Sequence, residues 1–245
     1  MTDVTVPSGG AGLRRMSWPG RTVLGRVTDS SRAALLATGT LRQYPAGSTL
    51  IMEGDSSTHV FLLIDGWLKV TGTTEDGGRA LLALRSSGDI VGEQAALENQ
   101  PRAATLTSAG VTVAREIHQS EFLRLLAERP DVSMAVTHAL SAKLRWATRR
   151  RIDFSGLPTN VRLARVLSDL AQLDGRQTSQ GTELGYELTQ PELAAMVGAS
   201  EPSVHRALRQ LRADGVVGTG YRRVIIRDLP TLHEIAGAAW TGTRT

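Results

Sequence analysis

Gly88-Asp89-Ile90-Val91-Gly92-Glu93-Gln94-Ala95-Ala96-Leu97-Glu98-Asn99-Gln100-Pro101-Arg102-Ala103-Ala104-Thr105 interrupts a series of short apolar runs and carries the most specific pattern in the chain. A cradle for a cyclic phosphate needs backbone N–H groups open to close approach, one fixed cation, and an acceptor for a ribose hydroxyl. Gly92 permits the approach, Arg102 is the cation and Glu93 the acceptor, while the small Ala103 and Ala104 leave their amides unobstructed beside Arg102. The same residues also admit a second use, an internal Arg102–Glu93 ion pair in a roll that binds no ligand.

Working outward, the runs Thr49–Met52, Val60–Ile64, Trp67–Thr71, Ala80–Leu84 and Val111–Ile117 are strand-length and are punctuated by Gly47, Gly54, Gly66, Gly77-Gly78 and Gly88. That pattern predicts an antiparallel β-roll or jelly roll over residues 21–130. A short helix precedes it, opened by Asp29-Ser30-Ser31 and stopped by Gly39, and residues 1–20 read as a flexible arm. A metal-dependent enzyme on a similar barrel would need clustered histidines with a carboxylate, and this region offers only His59 and His118, far apart in sequence.

Beyond Pro130 the period changes. Val132, Val136, Ala139, Leu140, Leu144 and Ala147 fall along one face of a long helix, Asp131–Asp153, whose basic end Arg149-Arg150-Arg151 suits a helix C-terminus. Residues 154–158, with Gly156 and Pro158, read as a hinge. A second helix follows through Val161, Ala164, Leu167 and Leu170, then a polar loop over 176–182 and a strand over 184–188.

The run from Thr189 to Arg209 contains two successive helix starts. Thr189 and Glu192 form a capping box, Ser200 is a second N-cap, Pro191 and Pro202 sit in first turns, and Gly198 supplies the left-handed turn residue. Leu193, Val197, Val204 and Leu208 pack the pair, which is a helix-turn-helix. Val216-Val217, a turn at Gly218-Thr219-Gly220 and the strand Tyr221–Ile226 add a wing, closing a domain over 159–228 before a tail, 229–245. Six Arg face three acids between Thr189 and Arg227, which points to a polyanion. Ser200, Glu201, Ser203, Arg206 and Arg209 on the second helix, with Arg222 and Arg223 on the wing, are the candidate DNA contacts.

The basic excess is confined to the second half: residues 1–129 hold 13 Arg/Lys against 13 Asp/Glu, and the remainder 15 against 11. With no cysteine, the chain has no disulfide, thiolate zinc site or iron–sulfur cluster. No apolar run approaches a membrane span, and no signal peptide opens the chain, so a cytoplasmic protein without membrane partners is expected. Nothing supplies a nucleophile–base pair or a nucleotide-hydrolysing loop, so an enzyme is not expected.

With both motifs in order around a long helix, the chain resembles the Crp/Fnr family of transcription regulators from about Arg21 to Arg227, and within it the cyclic-AMP receptor branch. The resemblance implies an α+β chain: a cyclic-nucleotide-binding β-roll, a dimerisation helix and a winged helix-turn-helix. It further implies a homodimer along residues 131–153, a double-stranded DNA operator, contact with RNA polymerase, and a cyclic nucleotide as allosteric ligand with no other cofactor. Arg102 would meet the exocyclic phosphate, Glu93 the 2′-hydroxyl, and the Gly92 and Ala103 amides the phosphate oxygens. Ala103, where a Thr or Ser goes with cyclic GMP, tilts the choice to cyclic AMP. The chain departs from that branch twice. Ala147 stands where a threonine reaches the adenine, leaving the adjacent Thr148 as the candidate base contact, and Glu201-Pro202 replaces an Arg-Glu pair in the recognition helix.

Overall fold

The computed structural model describes residues 18–75, 77–220 and 223–237. They divide into two compact units, one comprising the chain up to Leu68 with Arg85–Lys143, the other Lys69–Leu84 with the chain from Leu144 onward.

The described residues open with α1 (Val23–Arg26) and α2 (Asp29–Ala37), each N-capped by a threonine hydroxyl, Thr22 and Thr28. The strands are β1 (Thr40–Tyr44), β2 (Thr49–Ile51), β3 (Val60–Asp65), β4 (Trp67–Thr73), β5 (Arg79–Ser86) and β6 (Ile90–Val91); then α3 (Glu93–Glu98), β7 (Thr105–Ser108) and β8 (Thr112–Ile117) follow. Two four-stranded sheets, ordered β1-β8-β3-β6 and β2-β7-β4-β5, make the expected jelly roll. Strand β3 is buried from Val60 to Ile64 and pairs antiparallel with β8, its register shifting between Leu63 and Asp65, where Gly66 turns the chain at φ +84°.

After the roll come α4 (Gln119–Glu128) and α5 (Pro130–Gly156). Leu24, Leu35, Leu62, Ile64, Ile117 and Phe122 form the core, and Val132, Ala135 and Val136 of α5 are buried among them. Removing a side chain of this kind from water is worth about 1.5–3 kcal/mol. This divides the apolar stripe expected along the long helix: its first turns serve the roll's own core, whereas Met134, Leu144 and Ile152 are exposed. Of the expected arm, residues 1–17 lie outside the described residues, and Trp18 packs against the same core.

Of the stretch 154–158 expected as a hinge, residues 154–156 continue α5. Leu157 N still donates to Asp153 O (3.0 Å), so the helical ladder runs past Asp153, and only Leu157 and Pro158 separate α5 from α6 (Thr159–Asp174). The second unit continues with β9 (Gly175–Thr178), β10 (Gly181–Leu184), α7 (Gln190–Val197), α8 (Glu201–Ala213), β11 (Val217–Gly220), β12 (Arg223–Ile226) and α9 (Leu229–Ala236), its sheet ordered β11-β12-β10-β9.

Three further expectations change here. The polar stretch 176–182 is largely a β-hairpin, closed by the Thr178 hydroxyl on Gly181 O, and the following strand ends at Leu184. Gly218–Gly220 are paired strand, opposite Ile225–Arg223, rather than a turn. The tail begins with a helix: Asp228 caps α9 at Thr231, Leu232 and Ala236 are fully buried, and Arg165 Nε donates to Ala236 O (2.8 Å). No helix among the described residues is long and apolar enough to cross a membrane.

Candidate functional site

The cradle lies where β6 runs into α3. Gly92 is left-handed (φ +80°), and a Cβ there would stand 2.8 Å from both Arg102 Nη1 and Ile51 Cδ1, so glycine is needed for conformation and space alike. Arg102 is 3% exposed, and its guanidinium is held on three sides: Nε donates to Ser57 Oγ (3.1 Å), Nη1 to Gly92 O (2.9 Å) and Nη2 to His59 O (2.6 Å). Five N–H groups less three leaves two for an incoming anion. Burial lowers the Arg102 pKa from its ordinary value, against the opposing charges of Asp55 and Glu93. Burial also lowers the pKa of His59, and the Arg102 charge adds to it.

Glu93, the first residue of α3, is 4% exposed, and its Oε1 accepts from Lys143 Nζ at 2.7 Å; Lys143 also donates to Ile90 O. The internal Arg102–Glu93 pair is thus not formed: Lys143 of α5 is the cation for Glu93. Sequence reading missed Lys143, Ser57 and His59, since a helical lysine fifty residues away and a backbone carbonyl carry no local signature. Ala103 is exposed and Ala104 half-buried, and among the described residues neither amide donates within the chain. The structure brings Gly92, Glu93, Arg102, Ala103 and Ala104 together. Thr148 and Ala147 are exposed on α5 in the other unit. No three His, Asp or Glu side chains group as a metal would require, among the described residues.

The second site is on α7 and α8. Thr189 and Glu192 form the capping box, Lys69 pairs with Glu192, and Gly198 ends α7 at φ +65°. Although burial opposes it, hydrogen bonds from Lys69 and Thr189 hold Glu192 below its ordinary pKa. Val204, Ala207, Leu208 and Leu211 bury one face of α8, which turns Glu201, Pro202, His205, Arg206 and Arg209 to solvent. Ser200 is the N-cap by position, but its hydroxyl donates to Ser203 Oγ (3.0 Å), and Arg206 Nη2 reaches the same oxygen (3.0 Å).

On the wing, Arg223 forms a two-pronged pair with Glu183 of β10 (2.5 and 2.9 Å), which pulls the glutamate pKa down and the arginine up. Arg222 lies outside the described residues. The end of α5 belongs to this unit: the Phe154 ring lies under Arg150 and Arg162 at 5.2 and 5.7 Å, and Arg162 Nη1 donates to Gly198 O (2.9 Å).

Two family models match the chain: a cyclic nucleotide-binding domain over residues 41–129 and a Crp-like helix-turn-helix domain over 161–235. The chain is 28% identical over 202 residues to a CRP-like cAMP-activated global transcriptional regulator of Mycobacterium tuberculosis, covering 82% of this chain and 90% of that protein. It is 25% identical over 207 residues to the cAMP-activated global transcriptional regulator CRP of Salmonella typhimurium, covering 83% and 98%. Among solved structures it is similar to the c-di-GMP responsive global regulator CLP of Xanthomonas campestris (TM-score 0.70, 25% identity, 81% of this chain and 99% of that one). It shares its fold with FixK2 of Bradyrhizobium japonicum (TM-score 0.71, 20% identity, 82% and 99%).

Proposed function

The chain belongs to the Crp/Fnr family of DNA-binding transcription regulators, and from that premise we propose that cyclic AMP, held by Arg102, controls how it binds DNA. The observation that carries this reading is the buried Arg102 guanidinium, fixed on three sides with two donors to spare, beside a left-handed Gly92 and the unengaged Ala103 and Ala104 amides. Such a group is aligned in advance for one anionic oxygen pair. Glu93 takes the 2′-hydroxyl, sharing its carboxylate with Lys143. Ala103 favours cyclic AMP over cyclic GMP, and Thr148 is the base contact offered by α5. Two relatives are named as cAMP-activated, which supports the choice. One similar structure is named for c-di-GMP, and Ala147 removes the usual adenine contact, so a dinucleotide is the second reading.

The acting unit is a homodimer in which a second copy covers Met134, Leu144 and Ile152, exposed along α5. Ser200, Ser203, Arg206 and Arg209 of α8, with Glu201, enter the major groove, and Arg222 and Arg223 meet phosphates. The work is performed in the cytoplasm, with RNA polymerase as the downstream partner. The roll domain spans 21–130 and the reader 159–228 together with α9.

Selection of operators from random DNA, with and without cyclic AMP, tests ligand and reader together. Isothermal titration of the wild type and Arg102→Lys, which keeps the charge and loses the fork, should show cyclic AMP affinity falling at least tenfold. Equal affinities, or tighter binding of c-di-GMP than of cyclic AMP, would reject the cyclic AMP assignment.

A further inference from the structure

The outer surface of α8 is divided into two flanks. On one, Ser200, Ser203 and Arg206 are joined by hydrogen bonds. On the other, Glu201, Pro202 and His205 line a shallow cleft with Gln190 from the first turn of α7. Glu201 and His205 are four residues apart on a helix, so their side chains stand on neighbouring turns of one face, with Cβ atoms about 5–6 Å apart. Both are exposed, and no ion pair or hydrogen bond within the chain engages the His205 ring among the described residues.

We propose that Glu201 and His205 together read one C·G base pair, at a position separate from the one Arg206 reads; the proposal rests on α8 being the recognition helix. The major-groove edge of a C·G pair sets a donor, the cytosine N4 amino group, beside two acceptors, guanine N7 and O6. A carboxylate only accepts, and an imidazole N–H donates, so the two side chains complement that edge in the same order. A C·G pair alone sets its donor at one end of the edge with two adjacent acceptors beyond it, whereas an A·T or T·A pair sets its donor, adenine N6, between the single acceptors adenine N7 and thymine O4. The cleft lies at the N-terminal end of α8, the end of a recognition helix that reaches base edges. Pro202, without a polar side-chain group, keeps the two flanks apart.

The experiment is competition binding of the full-length protein, with cyclic AMP present, to a single-base-substituted series of its selected operator. It compares the wild type, His205→Ala, Glu201→Gln and Arg206→Ala. His205→Ala and Glu201→Gln should each lose discrimination, by roughly 5- to 150-fold, at one shared C·G position while retaining it where Arg206→Ala loses it. Replacing that guanine by 7-deazaguanine should weaken the wild type and leave His205→Ala unchanged. Loss at two different positions, uniform weakening on all sequences, or no effect of 7-deazaguanine on the wild type would overturn the proposal while Arg206→Ala still reports sequence reading. A wild type with no sequence preference would overturn the DNA-reading assignment itself. All three substituted side chains are solvent-exposed, and an unchanged unfolding midpoint confirms that each variant is folded.

Discussion

Lys143 Nζ stands 2.7 Å from Glu93 Oε1, joining the long helix α5 to the first residue of α3 through a carboxylate that is almost wholly buried. The lysine is about one quarter exposed, so the pair is neither a surface bridge nor a sealed one.

Removing only the cation leaves Glu93 buried and unpaired. Lys143→Met should therefore lower unfolding stability by about 1–3 kcal/mol, below the 3–5 typical of a sealed pair. Glu93→Gln combined with Lys143→Met should recover most of that loss in a double-mutant cycle read by urea denaturation. Additive losses would show that the two do not interact.

Gly92→Ala adds a methyl group 2.8 Å from Arg102 Nη1, on a left-handed backbone. The expected cost is about 1–3 kcal/mol in stability, together with weaker nucleotide binding as the guanidinium is displaced. Titration calorimetry finding wild-type affinity in a folded Gly92→Ala protein would mean that Arg102 does not hold the ligand from its observed place.

Gly198 and Phe154 are similarly matched. A Cβ on Gly198 would lie 2.5 Å from Phe154 Cε1. Gly198→Ala should destabilise the reading unit by more than the usual left-handed penalty of about 1 kcal/mol, and Phe154→Ala in the same chain should return the excess but not the backbone strain. Equal costs with and without the phenyl ring would rule out the contact.

Burial raises the Asp169 carboxyl to about 6, against the opposing Arg149 charge, a hydrogen bond from Trp146 and the Arg150 charge, with Asp153 adding to the rise. Its folded pKa is above the unfolded value of 3.8, so the native state binds the extra proton and stability falls as pH rises from about 4 to 6. Asp169→Asn should abolish that decline, a difference of up to about 3 kcal/mol across the window. Asp131 titrates elsewhere: hydrogen bonds from Ser31 and Thr28 hold it at about 2, so its contribution is lost only as pH falls below 3.8. Parallel pH profiles of wild type and Asp169→Asn would refute the assignment.

The roll, the long helix and the helix-turn-helix were legible because each leaves a local record: glycine-punctuated apolar runs, a 3.6-residue period, and paired caps such as Thr189 with Glu192. What escaped has no such record. Helix α9 was read as tail because eight residues with one apolar side show little period, and its support comes from Arg165 and Asp228. The stretch 154–158 reads as a hinge on Gly156 and Pro158; the helix stops before Pro158 but runs on through Gly156, because Phe154 packs against Arg150, Arg162 and Gly198 and that packing outweighs one glycine at the helix end. In the cradle, Gly92, Glu93 and Arg102 were visible as a motif, whereas Lys143 and the His59 carbonyl become partners only once the sheets close.

Glu183 meets Arg223 as a phosphate would, with two oxygens against the guanidinium fork. The wing therefore carries a built-in counterion. An arginine already neutralised from within delivers little net charge to the duplex, so handing it from Glu183 to DNA expels fewer of the cations condensed there. With Arg223 on a phosphate, as proposed, the ionic-strength dependence of operator binding becomes adjustable at Glu183, a residue outside the proposed DNA contacts. Glu183→Gln should tighten binding to all sequences alike and steepen the slope of log K against log salt by about 0.9. An unchanged slope would mean that the Arg223 side of the wing never reaches the phosphates.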